Sequence, residues 1–111
     1  MINIERRDKI DIVTFRVNNI NALITEKIRE EINKIFINLN SKLIIDLKGV
    51  EYIDSSGFGS FLSIMKTARN NYGTLKFANP EPGVVEVFNI LHLYSILDIY
   101  DNLDECIKSF S

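Results

Sequence analysis

The stretch that most constrains this chain is Leu43-Ile44-Ile45-Asp46-Leu47, which continues through Lys48-Gly49 and Val50-Glu51-Tyr52-Ile53 into the turn Asp54-Ser55-Ser56-Gly57. A strand that is nearly continuous in apolar residues suits the middle of a sheet covered by helices rather than a sheet with a wet face. The turn after it opens into helical spacing. A helix start leaves backbone N–H groups unpaired and carries partial positive charge, so a Ser there is capped when unmodified and can accept a phosphate when modified. Ser55 and Ser56 are both candidates for that role. The same four residues are also satisfied by a purely structural strand-to-helix turn with a good N-cap.

Around this segment the periodicity alternates between strand and helix. Ile2, Ile4 and Arg6, then Ile10, Ile12 and Thr14 opposed by Asp11, Val13, Phe15 and Val17, predict two strands joined as a hairpin at Asp8-Lys9. Ile24, Ile28, Ile32, Ile35 and Leu39 recur at helical spacing, with Glu26, Lys27, Glu30, Asn33 and Lys34 opposite and Asn21 as the N-cap. A second helix carries Phe58, Phe61, Leu62, Met65 and Ala68 or Arg69 on one stripe, with Ser60, Ser63, Lys66 and Thr67 turned away, and ends at Tyr72-Gly73. Thr74–Ala78 reads as a strand, Asn79–Gly83 as a turn, and Val84 to Leu91 as a short helix entered through proline. Leu97–Tyr100 gives a last strand, and Asp101 or Asn102 caps a closing helix through Phe110. Strands alternating with helices predict an α/β fold with one mixed sheet and crossover helices.

Composition narrows the function classes. The 111 residues, 46% hydrophobic and 25% charged, suit a single compact domain over 1–111 with a real core. Thirteen basic against fifteen acidic residues give a net charge of −2, with no Lys/Arg cluster to attract nucleic acid. No apolar run approaches the ~20 residues of a membrane span, and the first residues lack an apolar leader, so a cytoplasmic address and no membrane partner are expected. The single Cys106 shares an apolar helix face with Leu103, Ile107 and Phe110 and reads as core. Balanced charge makes a monomer the default.

Two segments together resemble the STAS domains, and among them the anti-sigma factor antagonists of bacterial partner-switching systems. One is Leu43 to Gly59, similar to that family's strand, loop and phosphorylation segment; the other is Asn79-Pro80-Glu81-Pro82-Gly83-Val84-Val85-Glu86-Val87-Phe88 with Leu91 and Leu93, similar to its proline-entered helix. The resemblance implies a mixed sheet of four to five strands with about four helices, mainly on one face. It implies phosphorylation of Ser55, the Ser directly after the Asp, with Asp54, Ser56, Gly57 and Phe58 at the partner contact. Phe58 belongs equally to an apolar core stripe. Asn21 is also placed in the contact set, and there the chain departs from the family pattern, since phosphorylated members commonly carry an Asp in the stretch similar to Val17–Asn21. His92 stands where relatives tend to have Gly or another small residue, and its plain reading is a solvent-facing helix end.

The expected partners are an anti-sigma factor that is also an ATP-dependent serine kinase and a metal-dependent serine phosphatase. ATP and Mg²⁺ would belong to those partners, leaving this chain without a cofactor. Phosphate on Ser55 would release the anti-sigma factor and so regulate transcription indirectly. A catalytic serine is not expected, because the only histidine is His92 and no Gly-x-Ser-x-Gly elbow surrounds Ser55 or Ser56. Ser56-Gly57-Phe58-Gly59 also lacks the Gly-Lys-Ser/Thr ending of a phosphate loop. The rival reading is a constitutive, unphosphorylated STAS scaffold subunit of a sensory or transport complex.

Overall fold

The computed structural model describes residues 2–111. A hairpin of β1 (Ile2–Arg7) and β2 (Ile10–Phe15) turns at Asp8 and Lys9, both at positive φ (53° and 67°), the backbone that matches a two-residue turn to strand twist. Then follow β3 (Asn19–Ile20), α1 (Ala22–Ile35), β4 (Lys42–Asp46), β5 (Tyr52–Ile53) and α2 (Ser55–Asn70). The chain ends with β6 (Thr74–Ala78), α3 (Pro82–Ile90), a 3-10 turn (Leu93–Ser95), β7 (Ile99–Tyr100) and α4 (Leu103–Lys108). The main sheet has five strands in the order β1-β2-β4-β6-β7, antiparallel only at the hairpin and parallel from β2 onward. The strand richest in apolar residues, β4, is therefore central, as its composition predicts.

Alternation sorts the core into two layers. Val13, Phe15, Leu43, Ile45, Leu75 and Phe77 face α1, α2 and α3, where Ile28, Ile32, Phe61, Ile64, Val84 and Phe88 meet them. On the opposite face Ile10, Ile12, Ile44 and Ala78 meet α4 through Cys106, with Leu103, Ile107 and Phe110 around it. Three helices cover one face and one covers the other, as the resemblance implies. Burial pushes the Cys106 thiol up to about 12, which leaves it a protonated packing group. Lys76, also on the α4 side, is nearly buried; its Nζ donates to the Ser109 hydroxyl (2.8 Å) and carbonyl (3.2 Å) and lies 4.4 Å from the Phe110 ring centroid.

Several local readings change. The first helix ends at Ile35, so Leu39 leaves the apolar stripe and is 64% exposed, while Phe36 at the C-cap takes the core position at 0%. Ser60 is buried rather than turned away, and Ile64 is a core residue, because α2 packs against α1 as well as β6 and needs a wider apolar arc than one stripe. The last strand shortens to Ile99–Tyr100 and the last helix to Leu103–Lys108, with Asn102 as its cap through a 2.8 Å bond from the Glu105 N–H. His92 follows α3 in the left-handed region (φ 56°), exposed as expected. Among the described residues no helix is long and apolar enough to cross a membrane.

Candidate functional site

The element that builds the site has no periodic signature in the sequence. β3 and β5 form a separate two-stranded parallel ribbon with Asn19 opposite Tyr52 and Ile20 opposite Ile53. Both isoleucines are buried, and the ribbon is held by bonds from the Glu51 (2.8 Å) and Tyr52 (3.1 Å) N–H groups to the Asn18 carbonyl and from the Asp54 N–H to the Ile20 carbonyl (3.1 Å). One residue beyond this paired rung lies the N-cap of each following helix: Asn21 for α1 and Asp54 for α2. The ribbon thus sets two helix N-termini side by side; neither has an acidic residue within its first turn, and at α2 the acidic group facing the positive end is the Asp54 cap itself.

At α1, Asn21 Oδ1 accepts from the Leu23 (3.1 Å) and Ile24 (3.2 Å) N–H groups, the capping role its position predicts. At α2, Asp54 Oδ1 accepts from the Gly57 N–H (3.0 Å) and from the Ser56 hydroxyl (2.6 Å). The cap is therefore Asp54, with Ser55 as the first helical residue. This geometry separates the two serines. Ser56 is committed to Asp54, whereas the exposed Ser55 hydroxyl has no hydrogen-bond partner among the described residues.

Gly57 and Phe58 lie inside. A Cβ at Gly57 would sit 2.5 Å from Ile53 Cγ2 and 3.2 Å from Ile20 Cγ2, so only glycine lets the helix start press onto the ribbon. The Phe58 ring is 6% exposed and meets Phe88 (5.5 Å between centroids) and Phe61 (6.5 Å) edge-on. Of its two readings the core stripe is the one the packing supports; Phe58 braces the turn from beneath and leaves little surface for a partner. The exposed apolar side chains beside the caps are instead Leu23 (81%) and Tyr52 (61%), neither of which the sequence singles out. A β-residue beside a loop and a second helical position carry no signal that distinguishes an anchor from an ordinary surface residue.

The loop between β4 and β5 is tied down from α3. Gly49, at φ 85°, donates its N–H to Glu81 Oε2 at 2.7 Å, and Asp46 Oδ1 accepts from the Lys48 N–H and from Asn79 Nδ2, each at 3.0 Å. The Ser55 turn thus follows a braced loop, with Asp54 as its adjacent acidic group. Among the described residues no group of three or more His, Cys, Asp or Glu could hold a metal ion.

The Ser56 hydroxyl, with the Gly57 and Ser56 N–H groups, holds the Asp54 carboxyl below its ordinary range. A lowered folded-state value means that the charged cap stabilises the fold above the ordinary carboxylate pKa and that this contribution is lost as pH falls through the folded value. Asp54→Asn keeps a capping acceptor but does not titrate. The melting-temperature gap between wild type and this variant is therefore expected to be largest at neutral pH and to close on acidification. A gap that stays constant across a calorimetric pH series would show that the charge contributes nothing.

The STAS domain family model matches residues 1–106. The anti-sigma-B factor antagonist of Listeria monocytogenes is 30% identical over 98 residues, covering 88% of this chain and 86% of that one. The anti-sigma-B factor antagonist of Bacillus subtilis is 39% identical over 57 residues, about half of either chain (51% and 52%). The structure of the Bacillus cell fate determinant SpoIIAA in its phosphorylated form superposes with a TM-score of 0.74 at 19% identity, covering 100% of both chains, a likeness of fold.

Proposed function

This chain belongs to the STAS domain family, and from that premise we propose that it is an anti-sigma factor antagonist whose binding is switched off by phosphate on Ser55. The observation that carries this reading is the contrast at the helix start: Ser56 is bonded to Asp54, and Ser55 is exposed with its hydroxyl uncommitted. Unmodified, the surface around Ser55, Asn21, Leu23 and Tyr52 binds an anti-sigma factor that is also the serine kinase; a metal-dependent serine phosphatase restores it. The names of the Listeria and Bacillus relatives support the partner class.

Phosphate adds about −1.5 to −2 charges beside Asp54. The paired N-termini of α1 and α2 tolerate an anion within the chain itself. A docked partner must desolvate that anion, which is where the selectivity arises. No rearrangement of the fold is needed.

The test is intact-mass analysis, with fragmentation, of the protein recovered from its own cells beside a Ser55→Ala control. Phosphate on Ser55, absent in the control, is the expected result. An unmodified chain under several growth conditions would overturn the switch and favour a constitutive STAS scaffold subunit.

A further inference from the structure

The outer edge of β1 plays no part in the switch. β1 ends the five-stranded sheet, and its residues from Asn3 to Arg7 are all exposed. The two-residue turn at Asp8 and Lys9 makes Arg7 and Ile10 a hydrogen-bonded pair, and alternation along the register directs the backbone groups of Arg7, Glu5 and Asn3 toward β2. The N–H and C=O groups of Ile2, Ile4 and Arg6 therefore point outward, where the sheet has no further strand. Sheet edges are commonly blunted by proline, a bulge, a covering loop or charge. β1 contains no proline and pairs with β2 without a break over all six residues, and its charges, Glu5, Arg6 and Arg7, are of both signs.

The side chains favour one occupant, a second copy of the same strand. An antiparallel partner related by a two-fold axis sets outward-facing residues opposite one another, so the axis passes between two copies of one residue. An axis at Glu5 opposes Glu5 to itself, and an axis at Arg6 or Arg7 opposes arginine to arginine, each a destabilising like-charge pair. An axis at Ile4 avoids all of these. It sets Ile4 against Ile4, Asn3 against Glu5 and Ile2 against Arg6, and it pairs the outward backbone groups of Ile2, Ile4 and Arg6 in both copies. It also covers Ile4, which is 39% exposed in the single chain.

The same register brings opposite charges together. Ile2 lines a cleft of about 420 Å³ with Lys27, Glu30 and Glu31 of α1. Glu31 pairs with Lys34 at 3.5 Å, whereas Glu30 has no cation within ion-pairing distance among the described residues. Ile2 and Arg6 share a face of β1, so Arg6 of a second copy, opposite Ile2, aims its guanidinium at this cleft. The Arg6 side chain is 68% exposed and meets a carboxylate of its own chain only at 4.0 Å, on Asp11.

We infer that two copies of this chain associate edge to edge through β1, in antiparallel register centred on Ile4, with Arg6 of each copy meeting Glu30 of the other. A contact of one strand per copy belongs to the class below about 1,200 Å² of buried area, which is transient. The dimer therefore forms and dissociates with concentration. A net charge of −2 opposes it little, and the monomer expected from that balance is its dilute form. The inference does not rest on the role proposed for Ser55.

The test follows the full ¹⁵N-labelled chain from about 10 μM to about 1 mM by sedimentation velocity and amide hydrogen exchange. The expected result is a sedimentation coefficient that rises with concentration while the Ile4 and Arg6 amides gain protection; the Asn3, Glu5 and Arg7 amides, bonded to β2 throughout, should change little. Ile4→Pro removes an outward donor without touching a bond to β2, and it should weaken association at least ~10-fold. Arg6→Glu and Glu30→Arg should each weaken it similarly, and the double variant Arg6→Glu/Glu30→Arg should return it to within about threefold of wild type. Recovery in the exchanged pair separates the contact from a damaged hairpin. A chain still monomeric at the highest concentration, protection gained at amides away from β1, or a double variant no tighter than its single variants would overturn the inference.

Discussion

Protein phosphorylated on Ser55 is expected to bind its anti-sigma partner at least ~100-fold more weakly than the unmodified chain, a difference of about 2.7 kcal/mol. Like-charge juxtaposition and the desolvation of a dianion at a close interface can each supply energies of that order. Ser55→Asp should reproduce much of the loss with a single added charge, and Ser55→Ala should bind within about a factor of three of wild type. Titration calorimetry with the three forms reads this directly. The control is stability: an anion at the start of α2 should raise stability or leave it unchanged, by about 0.3–1 kcal/mol at most. Lost binding with an intact melting transition isolates the charge at the interface. Equal affinity for all three forms would remove Ser55 as the switch.

Phe58→Ala is expected to cost about 3–5 kcal/mol of stability, because it empties an aromatic site enclosed by Phe61 and Phe88. For a chain of this length that lowers the melting temperature by roughly 10–20 °C. Leu23→Ala and Tyr52→Ala, at exposed positions beside the two caps, should change stability by no more than about 0.5 kcal/mol while weakening partner binding at least ~10-fold, as truncated apolar anchors do. Thermal melts paired with calorimetric titrations separate the two outcomes. If Phe58→Ala melted like wild type and lost only binding, Phe58 would belong to the contact surface after all.

That contrast marks what the sequence could express. Continuous apolar residues place β4 in the centre of the sheet, and alternation separates the two faces of β2, because burial on a periodic element repeats along the chain. The Asp54-Ser55-Ser56-Gly57 turn is legible for the same local reason: caps act over three residues. What stays hidden depends on long-range packing. β3 and β5 are two residues each, too short to show any period, and their pairing joins segments more than thirty residues apart. The burial of Ser60 and Ile64 depends on α1 lying against α2, and the exposure of Leu23 and Tyr52 on where the ribbon leaves them. A stripe containing Phe58 reads the same whether the ring faces a core or a partner, and only the surrounding rings decide it.

The two-rung ribbon also fixes a common origin for α1 and α2. Since Ile20 faces Ile53 and a single residue separates each from its helix, the phase of one helix about its axis is set against that of the other at the point where Ser55 sits. One residue inserted between Ile20 and Ala22 would turn α1 by about 100°, swinging Leu23 away from Ser55 and dismantling the contact surface without altering any residue in it.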